Sequence, residues 1–133
     1  DNLKRKIDAG ASAAITQFFL NSQHFLTFLE RVRAAGINVP IIPGIMLQPN
    51  FERLSNMAKT CGVDVPDKLA ANFAKLKEDA AGRTELTLEL ARGWMTDLQA
   101  AGVSQFHLYT LNSSKLASRL AAEKSEKPLK LAV

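Results

Sequence analysis

The first candidate for chemistry is Gln17, which stands in the otherwise apolar stretch "AAITQFF" at residues 13–19. A buried primary amide without hydrogen-bond partners costs about 1–3 kcal/mol, so a chain rarely keeps one in a core without a partner. Near the carboxyl end of a strand, such an amide can donate and accept at once, as a flat heterocycle or a carboxamide requires. The alternative is a hydrogen bond to a neighbouring strand or loop, and spacing alone favours that alternative.

Two further groups of polar residues are predicted to share one face of an element. Asn2, Arg5 and Lys6 have the i, i+3, i+4 spacing that aligns side chains on a helix, where they could grip a pyrophosphate. Solvated residues of a first turn are the simpler account of this spacing. His107 and Tyr109 alternate onto one face of a later strand, where they could serve acid–base chemistry. We favour a polar layer inside the fold for this pair.

The elements that position these residues follow from hydrophobic spacing and from glycine and proline signals. Helices are predicted over residues 2–9, from 21 or 22 to Gly36, 50–60, from about 66, 84–101 and 114–122, and strands over 13–19, 39–46 and 104–112. Pro43 and Gly44 predict a bend or bulge within the second strand. The long helix carries Leu86, Leu90, Trp94 and Leu98, which we interpret as its core stripe. Residues 123–133 are expected to form a flexible tail.

Helices that separate consecutive strands are typical of the crossovers in a parallel α/β sheet. No Gly-x-Gly-x-x-Gly motif follows a strand, which disfavours a doubly wound dinucleotide-binding sheet and favours part of a (β/α)8 barrel over residues 1–122. A complete barrel needs about 250 residues, so a chain of this length cannot close one. Either the chain is the C-terminal half of a longer enzyme, or copies assemble to cover its open edges and apolar inner face.

The composition is that of one soluble globular domain, with 133 residues of which 47% are hydrophobic and 23% charged. No apolar run approaches the ~20 residues of a membrane span, and the charged N-terminus lacks signal-peptide features, so we expect a cytoplasmic protein. The single cysteine, Cys61, excludes an internal disulfide, lacks the neighbours of a zinc site and is assigned to packing. Most basic residues are scattered among carboxylates, which argues against a nucleic-acid partner.

Three segments resemble, in this order and spacing, the C-terminal part of the methylenetetrahydrofolate reductase family: "NLKRKIDAGASAAITQFF", "AAGINVPIIPGIM" and "FHLYTLN". The likeness extends from about Asn2 to Ala122. It implies that the predicted strands are the last three of a (β/α)8 barrel that holds FAD. The implied activity is hydride transfer from NADH or NADPH through the flavin to 5,10-methylenetetrahydrofolate, giving 5-methyltetrahydrofolate.

The resemblance also implies roles for individual residues. The glutamine of the "TQFF" strand, Gln17 here, contacts both the folate's pterin and the nicotinamide, which use the same site in turn. Asn2, Arg5 and Lys6 match positions that contact the phosphate and adenine side of the flavin. The acids that assist the reaction belong to the first five strands, so this chain is expected to contain no catalytic residue and to be inactive alone.

Three positions depart from the family pattern. The arginine that follows "YTLN" and holds the folate's glutamate tail is Ser113 here, and a glutamine often found in the helix after "PGI" is Arg53. We hypothesise that Arg53 supplies the lost cation, because a guanidinium pairs well with a carboxylate. Met57 stands where some relatives place a phenylalanine that packs on the nicotinamide, so we expect an apolar contact there.

These expectations define the partners of the chain. They are the folate substrate, NAD(P)H, the missing N-terminal half of the barrel and further copies in a homo-oligomer. The alternative function is a non-catalytic half-barrel that serves in assembly or interaction and binds no flavin. Yellow colour with a flavin absorbance in the intact protein would distinguish the first function from the second.

Overall fold

The computed structural model describes residues 2–111 and 114–123 with side chains, and residues 130–132 as backbone. The described helices are α1 (Asn2–Asp8), α2 (Ser22–Ala34), α3 (Phe51–Cys61), α4 (Asp67–Lys75), α5 (Ala80–Ala100) and α6 (Ser114–Glu123). The described strands are β1 (Ala14–Phe18), β2 (Ile41–Met46), β3 (Gln105–Tyr109) and β4 (Lys130–Ala132). The chain is therefore an α/β protein, as its alternating patterns predicted.

The four strands form one parallel sheet in the order β1-β2-β3-β4. Neighbouring strands are consecutive in the chain, so the sheet grows in one direction only. A doubly wound sheet instead reverses its strand order at a switch point. The single direction is consistent with the predicted piece of a (β/α)8 barrel.

Helix α5 supplies a large part of the hydrophobic core. Its buried side chains recur at steps of three and four residues and include Leu88, Ala91, Met95 and Leu98, each fully excluded from solvent. The Trp94 ring of the same helix meets Phe19 edge-on, with ring centroids 5.8 Å apart. Burying one large apolar side chain contributes about 1.5–3 kcal/mol, so this contact between the helix and the sheet stabilises the fold.

The two faces of the sheet differ in cover. On β3, Phe106 and Leu108 are buried, whereas the alternating residues Gln105, His107 and Tyr109 are only half-buried. Paired residues of neighbouring strands share a face, and Gly44 of β2 pairs with His107. Ile42 lies two residues before Gly44 and therefore on the same face. Because Ile15 pairs with Ile42, it also lies on this open face. Its side chain is 51% exposed. We call this surface the inner face, because it is the one that a barrel would enclose.

Helix α6 is attached to α5 by two ion pairs. Arg92 binds Glu123, and Arg119 binds Glu85 at 2.8 Å. The hydrogen bond from Arg119 lowers the pKa of the Glu85 carboxyl below its usual value, and Arg92 does the same for the pKa of Glu123. Because these side chains are exposed, the pairs orient α6 more than they stabilise it.

The structure confirms the predicted helices and the first three strands, with ends shifted by a few residues. Helix α5 begins at Ala80, earlier than predicted, because Asp79 accepts a hydrogen bond from the Gly82 N–H and caps it. The predicted core stripe is only partly right, since Leu86 and Leu90 are half-buried. Cys61, assigned to packing, is exposed.

The C-terminal segment differs from the predicted flexible tail where it is described. Glu123 ends α6, residues 124–129 lie outside the described residues, and β4 pairs in parallel with β3. The sequence "EKSEKPLKLAV" carries no alternating strand pattern, so nothing in it predicted β4. Backbone hydrogen bonds to the edge of β3 can hold such a strand without that pattern.

Two features are not found within the part of the chain that the structure describes. None of its helices has both the length and the apolar composition to cross a membrane. None of its His, Cys, Asp and Glu side chains form a group of three or more that could hold a metal ion.

Candidate functional site

A groove of about 480 Å³ runs along β1, the strand at one edge of the sheet. Its walls come from β1, α1, α2 and the turn after α3, and include Leu3, Ile15, Gln17, Phe25, Phe28 and Val63. Most of these side chains are apolar, and Ile15 and Phe28 are 51% and 40% exposed. An open apolar concavity with a few polar groups is the usual form of a small-molecule site.

Gln17 is one of the residues that line this groove, and it carries the amide predicted to contact a ligand. Its Oε1 accepts a hydrogen bond from the backbone N–H of Phe18, the next residue of the same strand, at 3.1 Å, so the bond to a neighbouring strand or loop that spacing favoured is not formed among the described residues. No described residue accepts a hydrogen bond from its Nε2, and the side chain is exposed. The amide therefore keeps two N–H donors for a partner in the groove.

The backbone around Gln17 leaves the regular strand ladder. Ile15 pairs with Ile42 and Phe18 pairs with Gly44, so β1 uses three residues where β2 uses two. The Gly44 N–H, which points from β2 towards β1, donates to Oγ1 of Thr16 at 3.1 Å. The predicted irregularity is present, but its extra residue lies on β1. Ile15 and Gln17 are nevertheless both exposed and both line the groove, as alternation predicts, although the register with β2 shifts between Ile15 and Phe18.

Tyr109 reaches across β2 to the same part of β1. Its hydroxyl donates to the carbonyl oxygen of Thr16 at 3.0 Å, and its ring lies over Gly44. A Cβ at residue 44 would lie 2.5 Å from Cε2 of Tyr109 and 2.8 Å from the Thr16 oxygen, so only glycine fits. Sequence reasoning missed this contact because it joins residues that are 93 positions apart.

His107 and Tyr109 share the inner face, as the alternation on β3 predicted. Their rings meet edge-on with centroids 4.6 Å apart. Nδ1 of His107 is buried and has no hydrogen-bond partner among the described residues. Within the described residues, the Tyr109 hydroxyl of the predicted polar layer therefore has a partner, and Nδ1 of His107 has none. An unpaired buried polar atom of this kind costs about 1–3 kcal/mol.

The residues predicted to contact the flavin lie on α1, whose first turn borders the groove through Leu3. Asn2, Arg5 and Lys6 are all exposed, and none of the three lines the groove. Asp8, the carboxylate at the end of the same helix, binds Lys4 at 3.1 Å. Among the described residues, no carboxylate forms an ion pair with Arg5 or Lys6. Two cations beside the groove are therefore available to an anionic ligand.

The other predicted site residues are not brought to this groove. Arg53 lies in the first turn of α3, exposed, and its guanidinium has no partner among the described residues. Met57 is half-buried and packs against the core. Ser113 lies outside the described residues. The structure thus brings together Gln17 and the first turn of α1, while Arg53 and Met57 stand on a separate helix.

Comparisons with known proteins agree on one family. A family model described as methylenetetrahydrofolate reductase matches residues 1–124. The chain is 41% identical over 116 residues to the 5,10-methylenetetrahydrofolate reductase of Escherichia coli (strain K12), covering 87% of this chain and 39% of that protein. It is 37% identical over 114 residues to methylenetetrahydrofolate reductase 1 of Schizosaccharomyces pombe, covering 86% of this chain and 19% of that protein.

A plant relative gives a similar match. The chain is 36% identical over 115 residues to methylenetetrahydrofolate reductase (NADH) 1 of Arabidopsis thaliana, covering 86% of this chain and 19% of that protein. The chain therefore spans about two fifths of the length of the Escherichia coli relative and about a fifth of the other two.

Proposed function

The chain belongs to the methylenetetrahydrofolate reductase family, and from this premise we propose that it is the C-terminal part of a barrel enzyme that reduces 5,10-methylenetetrahydrofolate to 5-methyltetrahydrofolate. Bound FAD would supply the hydride relay from NADH or NADPH to the folate. The residues of this chain bind and orient the two substrates. Because the chain spans only about two fifths of the Escherichia coli relative, we expect it to be inactive without the remainder.

The observation that carries this proposal is the Gln17 amide in the lining of an apolar groove, with no described hydrogen-bond partner for its Nε2. Flat rings can lie against apolar walls, and an amide can pair with the edge of a ring. A pterin carries an amide-like edge, and nicotinamide carries a carboxamide. One glutamine can therefore meet both ligands in turn with the same N–H donors and carbonyl oxygen.

The residues of α1 fit the phosphate end of a flavin cofactor. Arg5 and Lys6 are exposed cations without a described carboxylate partner, and they lie on the helix whose first turn borders the groove. A pyrophosphate is bound well by a guanidinium and an ammonium group together. Asn2 shares their helix face and would add an amide donor.

The edge of the sheet supports an N-terminal half as partner. β1 is an edge strand, and on its outer side it pairs with no other described strand. Strands from the remainder of a barrel would pair with that edge. The homo-oligomer and the cytoplasmic location stay predictions.

The function is tested on the intact protein that contains this segment. We expect the purified protein to be yellow, with a flavin absorbance that NADH or NADPH bleaches and 5,10-methylenetetrahydrofolate restores. A colourless protein that forms a defined oligomer and oxidises neither nucleotide would contradict the proposal. That outcome would favour the alternative, a non-catalytic half-barrel that serves in assembly or interaction.

Arg53 is predicted to bind the carboxylate tail of the folate in place of the arginine that Ser113 replaces. The change Arg53→Ala should weaken folate affinity about fivefold, because an exposed charge-assisted pair contributes about 1 kcal/mol. The KM for NAD(P)H should not change, since the nucleotide has no such tail. The measurement is the KM for each substrate in the intact enzyme.

A second exposed cation on α3 provides the control for Arg53. Lys59 lies in the last turn of the same helix, so Lys59→Ala removes an equal charge from the other end. We expect this variant to keep the folate affinity of the parent. Unchanged folate affinity in Arg53→Ala would reject the role of Arg53.

A further inference from the structure

The orientation of Gln17 depends on a residue that does not line the groove. We propose that Tyr109 is a positioning residue for Gln17, because its hydroxyl fixes the bulged backbone of β1 and so sets the direction of the Gln17 amide. The inference rests on the proposed function, in which that amide contacts the substrates.

Hydrogen bonds hold both peptide groups that flank Gln17. The preceding carbonyl, that of Thr16, accepts from the Tyr109 hydroxyl at 3.0 Å. The following carbonyl, that of Gln17 itself, accepts from Oγ1 of Thr16 at 2.9 Å. The Thr16 hydroxyl also accepts from the Gly44 N–H at 3.1 Å, which ties it to β2. With both flanking peptides fixed, the backbone dihedral angles of Gln17 are fixed as well.

The bulge explains why a tyrosine is needed for this task. In a regular strand, the ladder of backbone hydrogen bonds orients each residue, but the pairing of β1 with β2 is irregular between Ile15 and Phe18. Tyr109 lies on β3, the strand beyond β2, and its side-chain hydrogen bond to Thr16 restrains β1 where the backbone pairing is irregular. Its ring can cross β2 only because Gly44 has no side chain to block it.

The same contact explains why threonine stands at position 16 and tyrosine at position 109. Thr16 contributes a hydroxyl that accepts and donates at once, which a valine of the same shape could not do. Tyr109 contributes a hydroxyl donor that reaches the Thr16 carbonyl from β3. Removing the tyrosine hydroxyl would remove this restraint on the peptide before Gln17 while leaving the groove walls in place.

The test is a set of kinetic measurements on the intact enzyme. Tyr109→Phe keeps the ring over Gly44 and removes only the hydroxyl. We expect kcat/KM to fall about fivefold with both NAD(P)H and folate, since a small misplacement of a substrate-positioning group lowers the rate. Thr16→Val, which removes the second link of the chain, should give a similar loss with both substrates.

A double-mutant cycle separates positioning from a general loss of stability. If Tyr109 acts through Gln17, the variant with both Gln17→Ala and Tyr109→Phe should have the same kcat/KM as Gln17→Ala alone. Thr87→Val is the matched control, because it removes a buried hydroxyl that donates to the Arg83 carbonyl at 2.9 Å inside α5. This control should leave both kcat/KM values unchanged.

The outcomes distinguish this inference from the function on which it rests. Additive losses in the double variant would overturn the inference, because Tyr109 would then act independently of Gln17. If Tyr109→Phe left kcat/KM unchanged while Gln17→Ala lowered it, the inference would also be overturned. The proposed function would stand in that case. An unchanged Gln17→Ala enzyme would overturn both.

Discussion

Replacing Gly44 with alanine is expected to destabilise the protein by about 3 kcal/mol, the upper part of the range for overpacking a well-packed site. The added Cβ would lie 2.5 Å from Cε2 of Tyr109 and 2.8 Å from the carbonyl oxygen of Thr16. The tyrosine ring could move, but the Thr16 oxygen belongs to the backbone of a paired strand. The variant should therefore either separate β1 from β2 or displace Tyr109.

The measurement is the free energy of unfolding from urea titrations of the parent and the variant. Gly93→Ala is the matched control, because Gly93 lies within α5 and a Cβ there would meet no atom within 4 Å. That control should stabilise the protein by up to about 1 kcal/mol through helix propensity. If the two alanine variants had equal stability, the close approach of Tyr109 to Gly44 would be contradicted.

Replacing Gln17 with alanine is expected to lower kcat/KM about ten- to hundredfold with both NAD(P)H and folate. The loss corresponds to about 1.5–3 kcal/mol, the cost of leaving a ligand's polar edge without its hydrogen bonds. Flavin content and stability should change little, because the described hydrogen bond of the side chain is the local one to Phe18. The measurements are steady-state kinetics with each substrate and the flavin absorbance of the purified enzyme.

Two further variants define what the amide of Gln17 does. Gln17→Glu keeps the shape but replaces the N–H donors with acceptors, so it should lose as much activity as alanine if donation by Nε2 matters. Gln23→Ala changes another exposed glutamine on the neighbouring helix and should leave the kinetics unchanged. A loss with only one of the two substrates would contradict the shared use of Gln17.

Local signals predicted most elements correctly because local sequence determines where helices end. Helix α3 stops where Gly62 adopts a left-handed φ of 68°, a conformation that glycine adopts readily. Asn50 caps the start of the same helix through its side chain, again within a few residues. Such features need no knowledge of distant parts of the chain.

The core stripe of α5 shows where local pattern becomes insufficient. The sequence offers two overlapping apolar stripes, Leu86-Leu90-Trp94-Leu98 and Leu88-Ala91-Met95-Leu98, each with helical spacing. Both stripes include Leu98, and only contact with the sheet decides which one is buried. The structure buries the second stripe completely, whereas Leu86 and Leu90 are half-buried.

The candidate site was predictable in its residue types but not in its geometry. Gln17 was recognisable as an amide in an apolar strand, and family likeness gave it a role. The bulge that orients it lies in the pairing of β1 with β2, and the contact that fixes it comes from Tyr109, 93 residues after Thr16. Both depend on strand register, which the sequence patterns of single strands do not encode.

The most direct test of the central claim is a crystal structure of the intact protein with bound folate. We predict that the amide of Gln17 lies within hydrogen-bonding distance of the pterin, about 2.7–3.2 Å between heavy atoms. We also predict that Tyr109 keeps its hydrogen bond to the Thr16 carbonyl in that complex. A groove filled by another segment of the protein, with Gln17 bonded to that segment and the folate bound elsewhere, would contradict the account.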